Sequence, residues 1–199
     1  MFRRPLLLAL AAATIARPAI AQTTPRRVRG TIDTLDGSTL VVTSREGEVL
    51  RIVLTPAYTV AAVLPTELSA VRPGAYIGMT AVGPKDKLRA AAVFVFPEAA
   101  RGTAEGHGPW DLMPGSTMTN AAIEAEATGA DGRDLTLLFK GERLVVTVPP
   151  GTPIVTSAPG TPALLTPGAK VLITTQQAAD GSLSAARVNV GKDGFTPPM

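Results

Sequence analysis

The stretch VRGTIDTLDGSTLVVTSREGEVLRIVLTP, Val28 to Pro56, has a near copy in IEAEATGADGRDLTLLFKGERLVVTVPP, Ile123 to Pro150. Asp36-Gly37 falls on Asp131-Gly132, and Leu40 and Val42 fall on Leu135 and Leu137. Leu50, Ile52 and Leu54 fall on Leu144, Val146 and Val148. Further along, Pro73-Gly74 meets Pro167-Gly168, Ile77 and Met79 meet Val171 and Ile173, and Val93 and Val95 meet Val188 and Val190. The offset is 95 residues up to the second strand, 94 in the middle and 95 again at the end. Each change falls at a polar turn, SREGE against FKGE and PKDK against ADGS, where one extra residue slips no ladder. The chain reads as an internal duplication.

Within the first unit, period-two alternation bounded by turn residues predicts strands at Val28–Leu35, Thr39–Ser44, Val49–Thr55, Ala75–Val82 and Leu88–Phe96. The intervening TELSAV predicts a short helical turn. Three strands, a helical crossing and two strands is the order of an OB-type barrel. On that pattern each unit resembles the small-barrel domains of unknown function found in exported bacterial proteins, a resemblance that covers both repeats and carries no catalytic motif. It implies an all-β fold of two tandem five-stranded OB-like barrels, at 28–97 and 122–191, joined by a Trp-containing strap at 98–121. One local conflict exists: NAAIEAEA, Asn120 to Ala127, favours helix by propensity, but the repeat makes it a first strand, with Ile123 on Val28.

Residues 1–21, MFRRPLLLALAAATIARPAIA, read as a signal peptide, with Arg3-Arg4, an apolar run and Ala19-Ile20-Ala21 before the cut. A periplasmic or secreted protein follows, cleaved after Ala21, with the general secretory and twin-arginine routes both open. The full chain carries 19 basic and 16 acidic residues. Arg3, Arg4 and Arg17 leave with the leader, so the mature chain holds 16 of each and is formally neutral. Aromatics are 4% of the chain. A nucleic-acid partner is therefore not expected, since binding single strands takes a basic groove and aromatic platforms. The cluster Arg26, Arg27 and Arg29 reads as a solvated N-terminal tail. With no Cys, the chain has no disulfide, thiolate metal site, Cys nucleophile or lipid-anchoring cysteine. No later apolar run predicts a membrane span.

No G-x-S-x-G, S-x-x-K or nucleotide-binding glycine loop is present, and the acidic residues sit mostly at turns. A non-enzymatic protein is expected, one that binds or scaffolds an unknown envelope protein or small ligand. The stretch EGHGPWDLMPGSTMTN, Glu105 to Asn120, holds the single His and single Trp. His107, Met113 and Met118 form an imidazole and thioether set of the kind that suits Cu(I), so a periplasmic copper-binding protein is the alternative. The simpler reading is that Trp110 and the methionines fill a seam between the barrels. Phe94 and Phe96, with no aromatic counterparts in the second unit, join Trp110 as the expected interface residues.

Overall fold

A computed structural model describes residues 24–129 and 131–198; the expected signal peptide lies outside them. Twelve strands and four 3-10 turns make up the regular structure, with no α-helix among the described residues. β1 (Thr24–Asp36), β2 (Thr39–Ser44) and β3 (Val49–Pro65) form an antiparallel meander. Its partners come from the far end of the chain. β11 (Lys170–Gln177) lies antiparallel on β1, and β12 (Leu183–Gly191) lies antiparallel on β11 and parallel on β3, which closes a five-stranded ring.

A second ring lies between these segments. β7 (Thr117–Gly129), β8 (Gly132–Phe139) and β9 (Glu142–Val148) form its meander. β4 (Tyr76–Val82) lies antiparallel on β7, and β5 (Leu88–Val95) lies antiparallel on β4 and parallel on β9. Neither 28–97 nor 122–191 closes a barrel, a correction to the sequence-derived boundaries. The first ring takes its last two strands from the second half, and the second takes its own from the first half. Both arrangements bury the same apolar alternation, so sequence pattern alone does not separate them.

Each ring has its own core. Val28, Ile32, Leu40, Ile52, Ile173 and Val188 fill the first, and Ile77, Met79, Ile123, Leu135, Leu137 and Val146 the second. Each such buried side chain contributes about 1.5–3 kcal/mol through burial. Between them lies a seam made by β10 (Ile154–Pro159), antiparallel to the second half of β3 and parallel to β5. The seam is symmetric about the pair Ser157↔Val63, and Ile154↔Val93 in one ring repeats Val60↔Val188 in the other.

The registers of the two first strands differ from the pairing expected from the sequence. Ile32 faces Val42 and its N–H donates to the Ala169 carbonyl at 2.9 Å; Ile123 faces Leu137 and donates to the Ala75 carbonyl at 2.9 Å. Ile123 therefore stands where Ile32 does, and the first strands correspond at an offset of 91 residues. The sequence alignment had placed Ile123 on Val28. The four-residue difference is absorbed in the hairpin that carries β7 out to Gly129, past the matching bulges at Asp33 and Glu124. β3 also runs on through Pro56, where the sequence had ended it at Thr55. Pro56 falls between the stretches paired to β2 and to β10, in the register break against β12, where no ladder needs its missing N–H. NAAIEAEA is strand, and TELSAV holds a 3-10 turn at Leu68–Ala70.

Candidate functional site

After β5 the chain is laid over the second ring. The Tyr76 hydroxyl donates to the Thr103 carbonyl at 3.1 Å, and Asn120 Nδ2 donates to the Thr103 and Ala104 carbonyls at 3.2 and 3.3 Å. Glu105 accepts the Lys140 amide N–H at 2.7 Å. A short strand, β6 (Gly106–Pro109), then adds to β7, from Gly106↔Asn120 to Pro109↔Thr117. It lies on the edge of β7 opposite β4, ahead of the residues that β8 pairs, so backbone groups that would otherwise face solvent are paired.

The next residues cross to the first ring. A turn from Trp110 to Ser116 is pinned by its own last residue: the Trp110 N–H donates to the Ser116 carbonyl at 2.8 Å, and Ser116 Oγ lies 2.8 Å from the Met113 carbonyl and 3.0 Å from that of Trp110. The Arg27 guanidinium sits 3.7 Å from the Trp110 ring centroid, and that of Arg29 sits at 6.0 Å. Such a cation over an indole face is worth about 0.5–2 kcal/mol, the more as water is excluded. Asp111 pairs with Arg29 at 2.8 Å and Arg27 at 3.6 Å, while Arg45 donates to the Leu112 and Asp111 carbonyls at 3.1 and 3.3 Å. The sequence had read Arg26, Arg27 and Arg29 as a solvated tail. They belong to β1, and Arg27 and Arg29 flank the inward-facing Val28, which puts both guanidiniums on the outer face.

Partial burial would raise the Asp111 carboxyl, but the Arg29 hydrogen bond and the charges of Arg29 and Arg27 outweigh it and hold the carboxyl below the usual aspartate range. A carboxyl whose folded value is depressed stabilises above its unfolded value and loses that contribution as pH falls through the folded one. Acidification below about pH 4 is thus expected to release the turn, shifting Trp110 emission to the red, while the rings stay folded. Asp111→Asn should give the red-shifted spectrum at neutral pH. Emission unchanged in both cases would mean that Asp111 does not hold the turn.

The sequence-derived site residues go to separate places. His107 Nδ1 lies 2.8 Å from the Thr119 hydroxyl, and its ring stacks on Phe139 at 6.1 Å. Met118 follows the other face of β7, as the neighbour of Thr119, and packs with Phe94 against Val63, Ala92 and Val155 in the seam. Met113 lies on the turn, 39% exposed. Among the described residues, no three His, Cys, Asp or Glu are grouped to hold a metal ion. Phe94 and Phe96 stay together, with centroids 4.9 Å apart, and Phe96 also meets Tyr76 at 5.4 Å. Trp110 stands apart from them, on Arg27.

A cleft of about 690 Å³ opens on the outer face of the first ring. Arg29, Thr31, Asp33, Arg45 and Lys170 line it, with Leu112 of the turn at one side and Thr196 to Pro198 at another. Lys170 Nζ donates to Thr31 Oγ1 at 2.7 Å, and Asp33 accepts the Thr43 hydroxyl at 2.7 Å. A smaller hollow of about 370 Å³ lies by Thr66, Arg133 and Pro149 to Thr152. There Arg133 is already committed to the Leu68 and Val71 carbonyls and to Glu126. The sequence reading missed the cleft, because Arg29, Arg45 and Lys170 are brought together from opposite ends of the chain. Its one local sign was the alternation of Arg27 and Arg29 about Val28.

No protein-family model matches the chain, and neither a curated protein nor a solved structure matches it. Among the described residues, no helix is long and apolar enough to cross a membrane.

Proposed function

We propose that the chain is an exported, non-enzymatic binding or scaffolding protein of the cell envelope, periplasmic or secreted after cleavage behind Ala21. Its binding site is the cleft over Thr31, and its ligand is anionic. The convergence of Arg29, Arg45 and Lys170 on one concave surface carries this reading. Lys170 matters most in it, because its ammonium donates to a neutral hydroxyl, that of Thr31. Cations on the wall of a cleft concentrate anions near the surface. The one histidine, engaged by Thr119 and Phe139, serves the packing of the second ring.

The two rings are read as OB-type barrels descended from a duplication whose last two strands have been exchanged. Supporting this are the ring orders β1-β2-β3-β12-β11 and β7-β8-β9-β5-β4, with β12 parallel to β3 and β5 parallel to β9. The turn bearing Trp110 is the tie from one barrel to the other.

Succinate and phosphate, titrated into the mature protein, are expected to shift the amide signals of Thr31, Ser44 and Arg45 saturably. Lys170→Gln with Arg45→Gln should abolish the effect, and flat signals in the unaltered protein would retire the cleft as a binding site. Cu(I) and Cu(II), added to the same protein under redox control, should leave Trp110 emission unchanged. Saturable quenching at stoichiometric copper, lost in His107→Ala, would favour the copper-binding reading instead.

A further inference from the structure

The first ring has an apolar cap that the second lacks. Leu35, Tyr58 and Leu164 are half-buried and pack against the core of the first ring, as does Ala169. Backbone pairing sets their counterparts in the second ring. Leu35 faces Leu40, which faces Ile52, as Glu126 faces Leu135, which faces Val146. Tyr58 stands two residues before Val60 and Thr152 two before Ile154, and Ile154↔Val93 repeats Val60↔Val188. The Leu164 and Ala70 amides close equivalent 3-10 turns, each at 3.0 Å, onto the Thr161 and Glu67 carbonyls. Glu126, Thr152 and Ala70 thus stand where the first ring has Leu35, Tyr58 and Leu164.

The hollow of about 370 Å³ opens at this end of the second ring, lined by Thr66, Leu68, Thr152 and Ile154 among others. Gly160 matches Thr66, since its N–H donates to the Val60 carbonyl at 2.9 Å as that of Thr66 does to the Ile154 carbonyl at 3.0 Å. In the first ring this ground is filled. A Cβ added at Gly160 would meet Leu164 Cδ1 at 3.0 Å and Val60 Cγ1 at 3.1 Å. In the second ring Ile154 is only half-buried, and Leu68 is 45% exposed. The Arg133 guanidinium is fixed on one wall by the Leu68 and Val71 carbonyls, at 3.2 and 2.8 Å, and its charge is met by Glu126. A guanidinium held and neutralised in this way suits the face of a ring better than a carboxylate.

We propose that this hollow is a second binding site, which takes a small uncharged aromatic molecule of the phenol type. Its ring would fill the place that Tyr58 fills in the first ring, against Ile154 and Leu68. An apolar cavity of about 150 Å³ is enough to hold benzene, so the hollow has room for one substituted ring. The site stands apart from the anion cleft, on the other ring, and does not depend on it.

Titration of the mature protein with 4-methylphenol, the tyrosine side chain as a free molecule, tests the proposal, with cyclohexanol and succinate as comparisons. Saturable amide and methyl shifts are expected at Thr66, Thr152 and Ile154, with Tyr58 and Leu164 silent. The dissociation constant should be on the order of 1 mM, the range for so few atoms. Thr152→Tyr, which restores the first ring's residue, should weaken binding at least about tenfold, because side chain and ligand then claim one volume. Dispersed methyl signals at Leu135 and Leu137 would show that the variant is folded, and Ala70→Leu should act in the same direction from the opposite wall. Flat signals in the unaltered protein would overturn the site. So would equal shifts at Tyr58 and Leu164, or unchanged binding in a folded Thr152→Tyr protein. Cyclohexanol binding as tightly, or succinate moving the same residues, would overturn the aromatic ligand.

Discussion

Ending the chain before Lys170 is expected to unfold the first ring and leave the second folded. The second ring is one continuous run, from Tyr76 to Val148, and every strand of its closed circuit lies inside that run. The first ring is discontinuous. Losing β11 and β12 removes Val171, Ile173, Leu183, Ala185, Val188 and Val190 from its core, all of them buried. At about 1.5–3 kcal/mol for each large side chain, that loss is comparable with the whole stability of a small domain, about 5–15 kcal/mol. Methyl signals of Leu40 and Ile52 should collapse to random-coil positions, while those of Leu135 and Leu137 keep their dispersion. Barrels bounded at 28–97 and 122–191 would give the reverse outcome, because the cut would then open the second and spare the first.

The second large effect separates two turns that look alike in sequence. Gly37 and Gly132 each follow an aspartate; Gly37 lies in the turn before β2, and Gly132 is the first residue of β8. At Gly37, φ is 56° and nothing lies within 4 Å of an added Cβ. At Gly132, φ is 139°, and a Cβ would sit 2.3 Å from the Val148 carbonyl oxygen and 3.0 Å from its carbon. Those are backbone atoms of the strand paired with Arg133, so relief requires opening the end of the β8–β9 ladder. Gly37→Ala should cost about 1–2 kcal/mol, the ordinary cost of a left-handed alanine. Gly132→Ala adds steric overlap to backbone strain, and about 3 kcal/mol or more is expected. Chemical denaturation of both variants decides the matter, and equal costs would mean that the close approach at Val148 is absent.

The contrast shows what local pattern carries. Strand positions were legible because Leu40, Val42, Leu50 and Ile52 alternate with polar residues, and alternation reports a buried face whichever strand lies alongside. It does not report the neighbour. Val28 packs beside Ile173 in the structure, and Met79 at the matching position would bury it as well, so the exchange of strands left no mark on the pattern. The offset in the first strand was misread for a related reason. Asp-Gly pairs anchored the alignment, although the hairpin they close is four residues longer in the second unit. β6 and β10 were missed because Gly106 to Pro109 and Ile154 to Pro159 are rich in residues that signal turns. At the site, Trp110 was singled out for its rarity, but its partner Arg27 was not. A charge cluster near a terminus reads as solvated until a strand assignment gives it a face.

The proposed binding cleft depends on which strand neighbours β1, since that determines whether Lys170 lies beside Arg29. The decisive measurement is a set of cross-strand nuclear Overhauser contacts in the full mature chain. Contacts between Val28 and Ile173, and between Thr119 and Met79, are predicted by the exchanged rings. Contacts between Val28 and Met79, and between Thr119 and Ile173, would contradict them and dissolve the cleft.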